Sequence, residues 1–312
     1  VRHDFAGTTV LITGASYGLG EVFAHQFAEA GADLVLTARS TELLESVAEA
    51  ARASGAPKVT AVTGDVSVEA DVDRVIATAV AEHGRIGVLV NNAGVSDIRG
   101  FTAENGRTDV FDHTMAIDLR GAWMYMRDVG RHMIDAGGGA IVNVASVLGD
   151  GGMELSEISY VAAKGAMENL TKQLGCEWAD RGVRVNSVCP GFIITEMTRA
   201  GIEGSPTEAF IQSRTPMRRL GEAREVGNAI MFLASEQAAY ITGVNLNVDG
   251  GLGAGRGWWQ IKPIHYSWNA DTAPQRGAVY PGLLPQPPEY EPFLAGIPGI
   301  HFEMPAEPPH AS

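Results

Sequence analysis

The chain has 312 residues and a mass of 33.0 kDa, with 45% hydrophobic and 19% charged residues, enough to bury a core as one large domain or two smaller ones. A formal net charge of -14 and a pI near 5.0, without a basic stripe, argue against a nucleic-acid partner, whose binding draws on clustered Lys and Arg. No apolar run approaches the roughly 18 residues of a membrane span. Cys176 and Cys189 are too few for a disulfide framework and lack zinc spacing, and VRHDFAGTTVLITG enters a strand pattern at once, so a cytoplasmic setting is expected.

In chain order, TVLITG, DLVLTA, VTAVTGD, IGVLVNNAG, GAIVNVAS and VRVNSVCPG read as buried strands separated by segments of helical length. Strands apolar throughout, alternating with helices, predict a doubly wound α/β architecture with a parallel sheet covered on both faces. The first helix carries Val22, Phe23, Phe27 and Ala30 at the spacing of one buried face, and EAGADL ends it at a glycine. A last strand, GVNLNVDGG, closes the sheet near Gly251.

The first strand runs into TGASYGLG, Thr13 to Gly20, and then into a helix. Glycines at such a turn permit a tight backbone and bring a pyrophosphate close to the helix N-terminus. The spacing differs from the common dinucleotide fingerprint but stands in its context. Gly14, Ser16, Tyr17, Gly18, Leu19 and Gly20 are therefore expected to cradle a dinucleotide. Its identity should be read at the end of the second strand, where an acid holds a ribose hydroxyl and a base a 2′-phosphate. In LVLTARS, Ala38 leaves the acidic place empty, while Arg39 and Ser40 offer a guanidinium and a hydroxyl. This favours NADP(H) over NAD(H), although Tyr17 stands where a second basic residue would suit a phosphate. Asp65, followed by Val66, ends the third strand; it can accept from an adenine amino group or cap a helix beginning near Val68.

TGASYGLG, NNAG at Asn91–Gly94, Ser146 after a strand, YVAAK at Tyr160–Lys164 and PGFIIT at Pro190–Thr195 follow in order. By these motifs, over about residues 5 to 252, the chain resembles the short-chain dehydrogenase/reductase (SDR) family. The resemblance implies one Rossmann-type catalytic domain over residues 1–252, with three α/β/α layers and a seven-stranded sheet. The substrate pocket would lie in loops at the carboxyl edge. A homotetramer or dimer would form, with the helices around Asp109–Ile134 and Tyr160–Asp180 at its main interface. Asn92, Ala93 and Gly94 would lie against the adenosine ribose, unless the glycine only makes a turn. Pro190, Gly191, Ile193 and Thr195 would close over the nicotinamide, with the Ile193 backbone and Thr195 hydroxyl on the carboxamide.

The chemistry accounts for the residue types. Hydride transfer to a carbonyl generates an alkoxide, which needs a proton donor and a hydrogen-bond donor within about 3 Å. Tyr160 alone is a poor acid or base, but an ammonium one helical turn away at Lys164 favours its phenolate form. The same ammonium can reach the nicotinamide ribose. Ser146 would polarise the substrate oxygen. Val95, Ser96, Leu148, Met153, Phe192 and the loop from Glu196 to Ser213 would build a mostly apolar pocket, with Leu148, Met153 and Phe192 the closest substrate candidates. No basic cluster flanks it, which argues against a phosphorylated or carrier-bound substrate.

The chain departs from the family where xNLxG is expected, because AIDLRG places Asp118 in the asparagine's position. The family's asparagine holds a relay water through its backbone carbonyl, which survives substitution; a carboxyl instead brings a charge near Lys164, so Asp118 is read as a functional, retuned member. Residues 253–312 hold 11 of the 15 prolines, together with Trp258, Trp259 and Trp268, and are expected to form an irregular C-terminal arm packed on the domain or exchanged with a neighbouring subunit. The leading reading is an NADP(H)-dependent oxidoreductase interconverting a secondary alcohol and a ketone. The alternatives are an NAD-dependent alcohol dehydrogenase working mainly in oxidation and a catalytically silent, cofactor-binding regulatory subunit. No histidine shows ligand spacing, so no metal is expected.

Overall fold

The computed structural model describes residues 3–95, 103–151, 158–195, 199 and 203–255. Met153, Ser96, most of the 196–202 loop and the expected arm from 256 onward lie outside the described residues.

The strands are β1 (Thr9–Thr13), β2 (Asp33–Ala38), β3 (Val59–Thr63), β4 (Val88–Asn91), β5 (Gly139–Val144), β6 (Val183–Pro190), β7 (Ile193–Ile194), β8 (Gly221–Glu222) and β9 (Asn245–Val248). Among the described residues seven of them form one parallel sheet in the order β3-β2-β1-β4-β5-β6-β9, while β7 and β8 pair separately. The helices are α1 (Gly18–Glu29), α2 (Thr41–Ala53), α3 (Glu69–His83), α4 (Thr108–Met115), α5 (Ala122–Asp135), α6 (Ile158–Glu177), α7 (Pro206–Arg214) and α8 (Ala223–Ala234). This is the doubly wound α/β architecture expected from the apolar runs, and the three-layer Rossmann-type fold with a seven-stranded sheet that the family resemblance implied.

Successive residues of a strand point to opposite faces, and β1 feeds both layers accordingly. Val10 and Ile12 join Phe23, Phe27, Leu44 and Ile230 beneath α1, α2 and α8. Leu11 faces the opposite layer with Val75, Val129 and Met167 from α3, α5 and α6. The buried face of α1 is rotated slightly from the one read in the sequence: Phe23 and Phe27 are covered together with Ala24 and Ala28, while Val22 and Ala30 stay half-buried. The reason is a second neighbour. Gln26 Nε2 donates to Arg224 O and Asn228 Oδ1 of α8 at 3.2 and 2.9 Å, so α1 is covered along α8 as well as against the sheet. Gly31, at φ 80°, turns the chain out of α1 in the left-handed conformation that glycine adopts without strain.

At the far side of the sheet, Arg184 of β6 donates to the carbonyls of Leu233, Ala234, Ser235 and Ile241 at 2.6 to 3.5 Å. A guanidinium thus satisfies carbonyls that the end of α8 leaves without intrahelical partners.

The strand order reverses between β1 and β4, and ligands of open α/β sheets bind outside the carboxyl ends at such a switch point. Among the described residues no helix is long and apolar enough to cross a membrane, and no group of three or more His, Cys, Asp or Glu could hold a metal ion.

Candidate active site

The switch point brings together residues from five separate elements. Tyr160 and Lys164 lie one turn apart near the start of α6, and the Lys164 ammonium is 5.3 Å from the Tyr160 ring centroid. Lys164 is only 3% exposed. Its Nζ donates to Val144 O at the end of β5 at 3.1 Å and lies 3.2 Å from Asp118 Oδ2, an ion-pair approach without hydrogen-bond alignment. The fully buried Asp118 sits in a turn of π-helix, Ala116–Gly121, that joins α4 to α5. Such single π-turns are frequent at functional sites. The other carboxylate oxygen, Oδ1, accepts the Val95 N–H at 2.8 Å.

Burial disfavours both charges, and the pair offsets this. Burial pushes the Asp118 carboxyl above the ordinary carboxylate range, against the pull of the Lys164 ammonium. Burial also works against the ammonium of Lys164, but Asp118 and then Tyr160 hold its pKa above the ordinary lysine value. Gly94 makes room for this arrangement. A Cβ there would lie 2.9 Å from Asp118 Oδ2 and 3.3 Å from Lys164 Nζ, so the last residue of NNAG faces the ion pair directly.

Ser146 follows β5 and is buried. Its Oγ accepts the Leu148 N–H at 3.2 Å, which leaves the hydroxyl proton available for donation. Leu148 and Phe192 are both half-buried, Leu148 in the turn after Ser146 and Phe192 in the segment after β6.

The glycine loop is held from β4. Asn92 Nδ2 donates to Thr13 O and Gly14 O at 3.0 and 3.1 Å, and Thr13 Oγ1 accepts the N–H groups of Asn92 and Ala93 at 3.0 and 3.1 Å. The Asn92 amide nitrogen therefore ties the loop to the end of β4. A Cβ on Gly14 would come within 2.7 Å of Ala93 Cα, and one on Gly20 would run into Gly14 O. Gly18, at φ 64°, opens α1 with nothing within 4 Å of its absent side chain, and no side chain caps the helix. Ser16 is buried, Tyr17 half exposed and Leu19 half-buried.

At the end of β2, Arg39 and Ser40 are exposed. Asp65 Oδ1 accepts from Ser67 N–H and Oγ–H at 2.9 and 2.7 Å, closing a local turn; α3 begins at Glu69 after Val68, so Asp65 is not its cap. Val66 is buried, and its carbonyl lies where a Cβ on Gly121 would come within 2.7 Å. Pro190 is the last residue of β6. Gly191 N–H then donates to Val248 O at 3.0 Å, and Ile193 enters β7 beside Thr195.

The family model described as enoyl-(acyl carrier protein) reductase matches residues 14–253. The glucose 1-dehydrogenase of Gluconobacter oxydans is 38% identical over 251 residues, covering 80% of this chain and 94% of that protein. The 2-(R)-hydroxypropyl-CoM dehydrogenase of Xanthobacter autotrophicus is 36% identical over 241 residues, covering 77% and 96% respectively. A crystal structure of a gluconate 5-dehydrogenase from Burkholderia cenocepacia, in complex with NADP and tartrate, matches at TM-score 0.75 and 34% identity over 81% of this chain and 98% of that one. The chain belongs to the short-chain dehydrogenase/reductase family.

As an SDR it is an oxidoreductase of the CH–OH/C=O class, from a family that binds nicotinamide cofactors. The SDR motifs read in the sequence converge on the switch point. Two parts of the site were not singled out beforehand. Thr13, whose hydroxyl clamps the NNAG turn, carried no signal beyond its place in the glycine loop. Asn91 and Asn143 form a buried ladder: Asn91 Nδ2 donates to Asn143 Oδ1 at 3.0 Å and Asn143 Nδ2 to Thr171 Oγ1 at 2.9 Å. This ladder ties α6 of the SDR fold to β4 and β5, and only paired polar residues inside otherwise apolar runs hinted at it.

Proposed function

We propose that this SDR is an NADP(H)-dependent oxidoreductase that interconverts a secondary alcohol and a ketone, with Tyr160 as the acid/base. The observation that carries the proposal is the buried Lys164 ammonium, seated between Val144 O and Asp118 and beside the Tyr160 ring. When bound, the cofactor supplies or removes the hydride at the substrate carbon. Tyr160 gives its hydroxyl proton to the carbonyl oxygen as the alkoxide develops and takes it back in oxidation. Ser146, with its oxygen occupied by the Leu148 N–H, donates to that same oxygen. Lys164 has three N–H donors; one goes to Val144 O and one faces Asp118, leaving one for the cofactor ribose. Asp118 is a positioning residue that offsets part of the charge Lys164 presents to Tyr160.

Preference for the phosphorylated cofactor rests on Arg39. It is exposed, follows Ala38 where an acid would hold a ribose hydroxyl, and is paired with none of the described residues. The NADP held by the Burkholderia relative is consistent with this reading. The deciding assay is a panel of ketones and secondary alcohols with NADPH, NADH and their oxidised forms. NADPH-dependent reduction is expected, and Arg39→Ala is expected to raise the NADPH KM by about tenfold or more, with little change for NADH. Preference for NADH unaffected by Arg39→Ala would overturn the cofactor assignment. No turnover of any pair would favour a silent subunit instead.

Self-association is part of the proposal. The turn of α4, π-helix and α5, with Leu170 of α6, carries a groove of about 450 Å³ lined by Met115, Leu119, Trp123 and Leu170 and edged by Asp112 and Arg120, and Trp123 is exposed there. It lies on the helices that the family resemblance places between subunits, and a second copy is its proposed occupant. Trp123→Glu is expected to shift the protein to a smaller species in sedimentation while its melting curve stays close to wild type. An unchanged sedimentation coefficient would remove this face from the interface.

A further inference from the structure

One turn beyond Lys164 on α6, Glu168 carries a carboxyl into the protein where 6% of the residue is exposed. Its partners come from two strands. Oε1 accepts the Cys189 thiol of β6 at 3.5 Å, and Oε2 accepts Asn245 Nδ2 of β9 at 3.4 Å. Asn245 is itself held by Ser187, whose Oγ donates to Asn245 Oδ1 at 2.7 Å. The amide bond is long, the thiol is a weak donor, and both donors are neutral, a weak return for burying a carboxylate.

The same carboxyl touches the turn that carries Ser146. A Cβ on Gly149 would run into Glu168 Oε1 and lie 3.0 Å from the Lys164 carbonyl carbon, and a Cβ on Gly165 would lie 3.0 Å from Gly149 O. Gly149 is therefore wedged, without any side chain of its own, between the backbone of α6 and the Glu168 carboxyl. The turn is otherwise pinned near its start: Val147 N–H donates to Pro190 O at 3.1 Å, Leu148 N–H to Ser146 Oγ at 3.2 Å and Gly149 N–H to Ser146 O at 2.9 Å. Displacing Gly149 pulls directly on these bonds.

We infer that Glu168 is a positioning residue for the reaction: through Gly149 its carboxyl seats the turn that carries Ser146. The inference rests on the role proposed above for Ser146. The groups facing Glu168 are the Cys189 thiol from β6, Asp150 from the turn itself and Lys172 one turn further along α6. Burial raises the carboxyl above the ordinary glutamate range, opposed by the Cys189 bond and reinforced by Asp150.

Two readouts on the full-length protein test this. In amide hydrogen exchange, Glu168→Ala is expected to accelerate exchange at Val147, Leu148 and Gly149 by about tenfold or more relative to the β5 amides. Glu168→Gln, which keeps the shape of the side chain and an oxygen for its donors, is expected to keep wild-type protection. In kinetics with NADPH and cyclohexanone, Glu168→Ala is expected to raise the ketone KM by several-fold to about tenfold, with the NADPH KM unchanged and Glu168→Gln restoring the wild-type value. Wild-type protection of residues 147–149 in Glu168→Ala would overturn the inference. If that variant does not fold, wild-type protection of the same amides in Glu168→Leu, which fills the space but removes the carboxyl, would do so. If wild type does not reduce cyclohexanone, the proposed reaction fails for that ketone, while exchange still decides whether Glu168 seats the turn.

Discussion

Tyr160→Phe is expected to lower kcat/KM about 10²–10⁴-fold, the range of a positioned general acid, with NADPH affinity and melting temperature close to wild type. The ring is half-buried near the start of α6, and phenylalanine preserves its packing while deleting the only atom assigned to proton transfer. Lys164 keeps Val144 O and Asp118 as partners and an equivalent ring beside it, so its seat is unchanged. Steady-state ketone reduction and fluorescence titration with NADPH separate the two effects. Activity within about tenfold of wild type would exclude Tyr160 as the proton donor.

The second large effect is expected at Asp118, and the two substitutions should diverge. Asp118→Ala leaves a buried ammonium facing a cavity and deprives the Val95 N–H of its acceptor. Breaking a buried pair from one side costs about 3–5 kcal/mol, measurable as a lowered denaturation midpoint. Asp118→Asn retains an oxygen for Val95 and is expected to cost under about 2 kcal/mol. Its kinetic signature is a shift of the kcat/KM profile toward lower pH, because the carboxylate no longer offsets the charge of Lys164 beside Tyr160. The sign of the stability effect follows from linkage. The pKa of Lys164 is raised in the folded protein above its ordinary 10.5, so its contribution is complete below that value and is lost as pH rises through the folded value. Loss of the Asp118 carboxylate should therefore weaken the alkaline limb of the stability curve. An unchanged pH–rate profile in Asp118→Asn, together with unchanged stability in Asp118→Ala, would make the residue incidental.

Much of this is legible in the amino-acid sequence. Strands of a parallel sheet covered by helices on both faces are mostly apolar, and the six runs from TVLITG to VRVNSVCPG read as buried strands for that reason, while the last, GVNLNVDGG, alternates because it is the half-buried edge strand. The motif order placed Tyr160, Lys164, Ser146 and the glycine loop in one family. The rotation of the buried face of α1 was not legible, since the α8 contact at Gln26 depends on residues some 200 positions later. The geometry at Gly149 was hidden for a related reason: a glycine in an acidic loop shows nothing of the carboxyl packed against it.

By itself the sequence determined local matters: where strands run, where glycines permit tight turns, and which residue types stand at the spacing of one helical turn. Asp118 and Lys164 were suspect neighbours by resemblance alone. Only the tertiary structure decided that they form a buried pair, because their contact depends on how the π-turn between α4 and α5 packs against α6, with Gly94 supplying the gap. Whether a charge is solvated or buried beside an opposite charge changes its energy by several kcal/mol, and that difference resides in the packing of elements distant in the chain.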